Sequence, residues 1–235
     1  MSPEAPLSGR ERVLRNPPKE LCLRFVNTVA WRLSDTPEER LPSVSEFLDW
    51  CVGAELLAAA EAAQLAASWR KGAPAPLALY RRALALREAL YRVFRSRIDG
   101  EDVPADALRI VNAALAAAPS RDRIVSAGTE FGWSVAGRRA DAVDALAPIV
   151  WSAGDLLTSP RAHRMRQCED AKGCGWLFLD ASRGGTRRWC SMGGCGNRAK
   201  AQRHYLRRKR LARPKEDEAA PGEGAPRRDS ATRSR

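Results

Sequence analysis

Four of the six cysteines fall within 28 residues, as Cys168-x5-Cys174 and Cys190-x4-Cys195 separated by 15 residues. Two short pairs joined by a longer arm suit a tetrahedral thiolate site, because each pair closes a tight knuckle on one side of the ion. Gly173 and Gly175 flank Cys174, and Gly193, Gly194 and Gly196 surround Cys195. Glycine permits the positive φ that a backbone turning around a metal requires. Between the pairs, WLFLD (176–180) and TRRWC (186–190) read as two strands of a β-hairpin with SRGG (182–185) as the turn. A helix is expected after Cys195, running to about 212. Such a miniature buries too little apolar surface to fold alone. One Zn2+ per chain, held by Cys168, Cys174, Cys190 and Cys195, would supply on the order of 10 kcal/mol. The alternatives are reduced core cysteines or two disulfides. Polar flanks argue against the first, and the lack of a secretory signal against the second. His204 on the helix is an alternative ligand, but four thiolates already fill the shell. Cys22 and Cys51 lie on apolar helical faces and read as packing.

The charge is as localised as the cysteines. The chain has 235 residues and a net charge of +12. Residues 1–160 hold 20 basic and 20 acidic side chains, and residues 214–235 hold five of each. The excess lies in 161–213, where the only acids are Glu169, Asp170 and Asp180. A confined positive patch is the footprint of a polyanion-binding surface on a neutral body. Arginine far outnumbers lysine there, and its planar fork suits phosphate oxygens and guanine edges. That preference favours nucleic acid over an anionic membrane. The helix also lacks the broad Trp, Phe or Leu face that a membrane surface needs. Arg187, Arg188, Arg198, Lys200, Arg203, Arg207, Arg208 and Arg210 are the candidate nucleic-acid contacts, with Ala199, Tyr205 and Leu206 left to touch the hairpin. Trp176 and Trp189 are expected to pack. Asn197 is expected to cap the helix or to bond a cysteine sulfur. The bland alternative is a solvated basic surface.

Upstream, apolar periodicity predicts helices over about 19–33, from Ser43 to about 69, over 77–98, after Pro104, and over 139–157. Residues 123–136 read as a β-hairpin. The expected fold is mainly α: a helical N-terminal domain over 19–160 with one small β-hairpin, then a C-terminal zinc module of knuckle, β-hairpin and helix over 161–213. Residues 1–18 read as a flexible N-terminus and 214–235 as a disordered tail. No run approaches the roughly 18 apolar residues of a membrane span. No secretory signal is expected at the start, which makes the cytoplasm the expected location.

At these residues the sequence looks like a known family. The stretch CGWLFLDASRGGTRRWCSMGGCGNRAKAQRHYLRRK (174–209) resembles the CGNR-type zinc finger, named for the tetrapeptide that stands here as Cys195-Gly196-Asn197-Arg198. The resemblance covers about 165–210. In that family the finger follows a helical ABATE domain, and LCLRFVNTVAWR (21–32) resembles that domain's opening motif. The resemblance implies a cytoplasmic, zinc-dependent, DNA-binding protein acting in stress-induced transcription regulation.

An enzyme is disfavoured. Residues 1–160 hold no histidine, no phosphate-binding glycine loop, no HExxH and no nucleophile elbow. The first domain is expected to sense a signal or to form a homodimer. Asn27, Thr28, Trp31 and Trp50 are candidates for a small-molecule pocket in it, with core packing the commoner use of such tryptophans. The alternative to DNA is RNA or the ribosome. RNA binding usually exposes aromatics for stacking, and few are expected near the finger.

Overall fold

The computed structural model describes residues 11–15, 20–121, 123–127, 130–136 and 145–211. In chain order the elements are β1 (Glu11–Arg15), α1 (Leu21–Val26), β2 (Val29–Ala30), β3 (Glu38–Glu39), α2 (Val44–Gly53), α3 (Ala59–Arg70), α4 (Ala75–Asp99) and α5 (Ala105–Ala117). They continue with β4 (Arg123–Ala127), β5 (Glu130–Ala136), α6 (Ala147–Leu157), β6 (Met165–Gln167), β7 (Leu177–Leu179) and α7 (Asn197–Leu211). The expected mainly helical fold is present.

Helix α4 is the spine. Leu79, Ala83, Leu86, Leu90, Val93 and Phe94 recur at helical spacing and are buried. Gly100 ends the helix at φ 73, a left-handed conformation that glycine adopts without strain. Around α4 pack α1, α2, α3 and α5, with α6 against α1 and α5. Phe25, Phe47, Phe94, Leu21 and Ile149 are fully enclosed. Each such side chain stabilises the fold by about 1.5–3 kcal/mol. Cys22 and Cys51 pack in this core as expected, and burial pushes their thiols up to about 11 and about 12.

Two expected helices are shorter or broken. The one over 19–33 stops at Val26. Asn27 turns its amide to the far end of the chain, and Trp31 sits at φ 52. The Ala-rich one starting at Ser43, whose hydroxyl accepts from the Ser45 N–H, breaks between Gly53 and Ala59. There Ala54, Leu56 and Leu57 are all buried while Glu55 takes φ 61. Residues at 100° intervals cannot all reach one core face from a straight helix, so packing overrides the alanine propensity.

The hairpin expected over 123–136 forms as β4 and β5, with Ser126 opposite Phe131 and Ile124 opposite Trp133. A third strand joins it. Glu11–Arg15 pairs antiparallel with β5, so this part of the stretch read as a flexible N-terminus is ordered by the free edge of β5. Residues 1–10 and 16–18, the 139–144 part of the last predicted body helix, and the tail 214–235 lie outside the described residues.

The second expected hairpin does not form. Strand β7 pairs instead with β6, Met165 opposite Leu179 and Gln167 opposite Leu177, while 186–190 runs as irregular chain. The cause is Asp180. Its buried carboxylate accepts from the Ser182 N–H at 2.9 Å, the Ser182 hydroxyl at 2.5 Å and the Arg187 N–H at 2.9 Å. These bonds curl the chain around Asp180 and leave one ladder-like contact, Glu169 N–H to the Arg188 carbonyl at 2.9 Å.

Candidate metal centre

The sulfurs of Cys168, Cys174, Cys190 and Cys195 all lie within 4.8 Å of one another. Cys174 and Cys190 are 3.7 Å apart, and Cys190 and Cys195 are 3.6 Å apart. Four thiolates at the zinc–sulfur distance of about 2.3 Å would sit about 3.8 Å from one another. A disulfide would bring two sulfurs to about 2.0 Å. The set therefore fits one tetrahedral zinc and not a pair of disulfides. His204, on the exposed helix, is outside the set.

The electrostatics agree. Hydrogen bonds from the Cys174 and Cys190 thiols hold Cys168 low, at about 2. Its thiolate in turn pushes Cys174 and Cys190 upward, and burial raises Cys195 to about 12. Four like charges at this spacing cannot coexist alone. A divalent cation removes that conflict and lets all four ionise.

The next layer outward was not visible as such in the sequence. Arg198 donates from Nη2 to the Cys195 sulfur at 2.9 Å and from Nε to Asp170 at 2.9 Å. Its guanidinium lies 4.8 Å from the Trp31 ring centre. Asp170, itself buried, also accepts from the Lys172 N–H at 2.9 Å. Burial pushes its carboxyl up, and the bonds from Lys172 and Arg198 outweigh that, so its pKa falls below the ordinary value. The signal that could have pointed here was scarcity. The basic segment has only three acids, and all three are engaged: Glu169 with Arg188, Asp170 with Arg198, and Asp180 with its own loop.

Of the predicted glycine turns, Gly173 and Gly175 adopt positive φ, at 85 and 66. The need at Gly173 is twofold, since a Cβ there would stand 2.6 Å from the Ser34 nitrogen. Gly193, Gly194 and Gly196 instead belong to a wide helical turn, Met192–Gly196, that leads directly into α7. Asn197 braces that turn by donating to the Gly193 carbonyl at 3.1 Å.

The proposed pocket residues are used by the protein itself. Both ends of the Asn27 amide bond the Leu177 backbone, at 2.8 and 2.9 Å. Thr28 donates to the Phe25 carbonyl and accepts from Arg87. Trp31 packs against the cysteine cluster, and Trp50 lies 5.2 Å from the Phe25 ring. An apolar cleft of about 210 Å³ lies elsewhere, between α4, α5 and the start of α6, lined by Leu86, Ile110 and several alanines.

The basic residues fall into two groups. Arg187 donates from Nε to the Trp189 carbonyl at 2.7 Å, bonds the Cys190 carbonyl, and stacks on Phe178. With Arg198 it thus braces the module, so the guanidiniums of these two candidate nucleic-acid contacts are already engaged within the fold. Arg188 is exposed and paired with Glu169. Lys200, Arg203, Arg207, Arg208 and Arg210, with Lys209, form no ion pair among the described residues, and every residue from 201 to 210 is exposed. Tyr205 and Leu206, expected to touch the hairpin, are 63 % and 46 % exposed. The helix is free-standing because its few apolar residues are scattered around it. Trp176 and Trp189 are packed, Trp176 donating to the Val29 carbonyl at 3.0 Å.

No helix among the described residues is long and apolar enough to cross a membrane. No curated protein sequence matches the chain. A model of the CGNR zinc finger matches residues 164–208, over the four cysteines and most of α7. The ABATE family model, described as "Putative stress-induced transcription regulator", matches residues 19–160, well over half of the sequence, and the chain belongs to that family.

Proposed function

We propose that this protein is a zinc-dependent DNA-binding transcription regulator of the cytoplasm, with α7 as its DNA-binding element. The observation that carries the reading is a helix of 15 residues with seven basic side chains, six of which, all but Arg198, form no ion pair among the described residues and are not docked on the fold. At about 1.5 Å per residue α7 is roughly 22 Å long, enough to lie along a major groove. An isolated helix of this length is marginal in water. Its first turn is fixed through Arg198 and the metal-bound loop, and Arg208, Lys209 and Arg210 complement its C-terminal dipole. Zinc therefore sets where the helix starts and points. Lys200, Arg203, Arg207, Arg208, Lys209 and Arg210 meet phosphates, with a minority reaching base edges and Arg188 flanking them. The helical domain senses a signal or dimerises. The families matched are a regulator and a zinc finger, and no enzymatic role is assigned.

The test is binding to duplex DNA across salt concentrations. Each phosphate neutralised contributes about −0.9 to the log–log slope, so six contacts give about −5. Arg203→Ala with Arg207→Ala should lower affinity for every duplex and reduce the slope by about 2, with the melting temperature unchanged. A flat salt response refutes the reading. The RNA alternative has one observation in its favour, the exposed Tyr205, which offers a stacking face on a basic helix. Competition by single-stranded RNA stronger than by duplex DNA, lost in Tyr205→Ala, would establish it.

A further inference from the structure

The two family models divide the chain between residues 160 and 164, yet the metal centre does not respect that division. Five hydrogen bonds join the loop 27–33 of the first domain to 173–177 of the finger. Asn27 contributes two, to the Leu177 carbonyl and from the Leu177 N–H. The Trp176 indole donates to the Val29 carbonyl at 3.0 Å. The Arg32 N–H donates to the Cys174 carbonyl at 3.2 Å, and the Leu33 N–H to the Gly173 carbonyl at 3.0 Å. One metal-ligating residue, Cys174, is thus held through its backbone by the first domain.

The second cysteine pair is reached through a side chain. Trp31, at φ 52, packs against the cysteine cluster and carries the Arg198 guanidinium that donates to the Cys195 sulfur. The loop is itself fixed from behind. Arg32 bonds Glu88 of α4 at 2.6 and 3.2 Å and lies 4.1 Å from the Tyr91 ring centre, and the Tyr91 hydroxyl accepts from Gln167 of β6 at 2.8 Å. Thr28 is held by Arg87, whose guanidinium also grips Glu39. The close fit excludes even a methyl group at Gly173.

We infer that the zinc site is shared between the two domains, with Asn27, Trp31, Arg32 and Leu33 forming its outer layer as positioning residues. Second-layer partners of this kind orient the ligands and typically alter metal affinity 10- to 100-fold when removed. Coupling is reciprocal, so zinc stabilises the 27–33 loop by the same factor by which the loop tightens zinc. A signal that displaces this loop would loosen both the ion and the first turn of α7. The inference concerns the ion alone and stands whether or not α7 binds nucleic acid.

The experiment uses the full-length zinc-loaded protein. Asn27→Ala and Trp31→Ala are compared with Val111→Ala, a truncation buried in α5 that weakens the same helical core. Zinc affinity is read by competition with a chromogenic chelator, beside the melting temperature of each variant. The first two should lose about 10-fold or more in affinity, and Val111→Ala should keep wild-type affinity despite its lower melting temperature. Hydrogen exchange of the wild-type protein, before and after zinc is stripped, gives the reciprocal reading and needs no variant to fold. The Arg32 and Leu33 amides should lose protection with the ion while those of α5 keep theirs. Equal zinc affinity in Asn27→Ala and Val111→Ala, or Arg32 and Leu33 amides still protected after stripping, overturns the inference.

Discussion

Replacing Arg198 by alanine separates a brace of the module from a nucleic-acid contact. The guanidinium holds Asp170, whose side chain is 3 % exposed, while its own side chain is 37 % exposed. Removing one partner of a buried ion pair costs about 3–5 kcal/mol. Water at the Arg198 side screens the interaction, and Asp170 keeps its bond from the Lys172 N–H, which lowers the loss to roughly 1–2 kcal/mol. In a chain of this size each kcal/mol moves the midpoint by about 2–4 °C, so Arg198→Ala should melt roughly 2–8 °C lower. Calorimetry on the zinc-loaded protein measures this, with Arg207→Ala as the exposed comparator expected to change stability by no more than about 0.5 kcal/mol. Arg198→Lys should resemble the alanine variant, because an ammonium cannot fork between a carboxylate and a sulfur. A wild-type melting temperature for Arg198→Ala beside a lowered one for Arg207→Ala would refute the bracing role of Arg198.

Two further outcomes follow from the body and the knuckle. Burial pushes the Glu39 carboxyl up, and its bonds from Arg87 more than reverse this, so its folded pKa lies below the ordinary carboxylate value of about 4.3. The stabilisation from that pair is complete above the ordinary value and disappears as pH falls through the lower folded one. Glu39→Gln should therefore melt below the wild type at pH 7, by about 1–2 kcal/mol of stability given its partial exposure. Scanning calorimetry should find that gap closing towards pH 3, and a gap constant with pH would contradict the assignment. Gly173→Ala and Gly185→Ala both place a side chain at positive φ, but only the first meets backbone, the second facing open space. Each should lose about 1 kcal/mol to strain. Denaturant unfolding should show a further 1–3 kcal/mol lost in Gly173→Ala alone, and equal losses would deny the close approach of the 31–34 loop.

The zinc ligands were legible because thiolate pairs at short spacing have few other uses, and α4 because its apolar residues repeat over a long span. The hairpin of β4 and β5 was legible for the same local reason. What escaped was set by distant contacts. Asn27 ends α1 because its amide finds Leu177, 150 residues away, and no local pattern records that. Asp180 looked like the end of a strand, yet its buried carboxylate organises the loop that denies β7 its expected partner. Arg187 and Arg198 counted equally with Arg203 and Arg207 in the net charge. Only the fold distinguishes guanidiniums that brace carbonyls, sulfur and carboxylate from those that face water. Strand β1 is five residues with no helical or turn signature, recruited by the edge of β5.

In the proposed function zinc, through its four cysteines, gives α7 the position from which it would bind DNA. The most direct measurement is duplex affinity at fixed salt as zinc is withdrawn by a chelator and then restored, with zinc content measured on the same samples. Binding should fall in proportion to the zinc lost and return on re-addition. Zinc-free protein binding the duplex as tightly as the loaded form would contradict that reading.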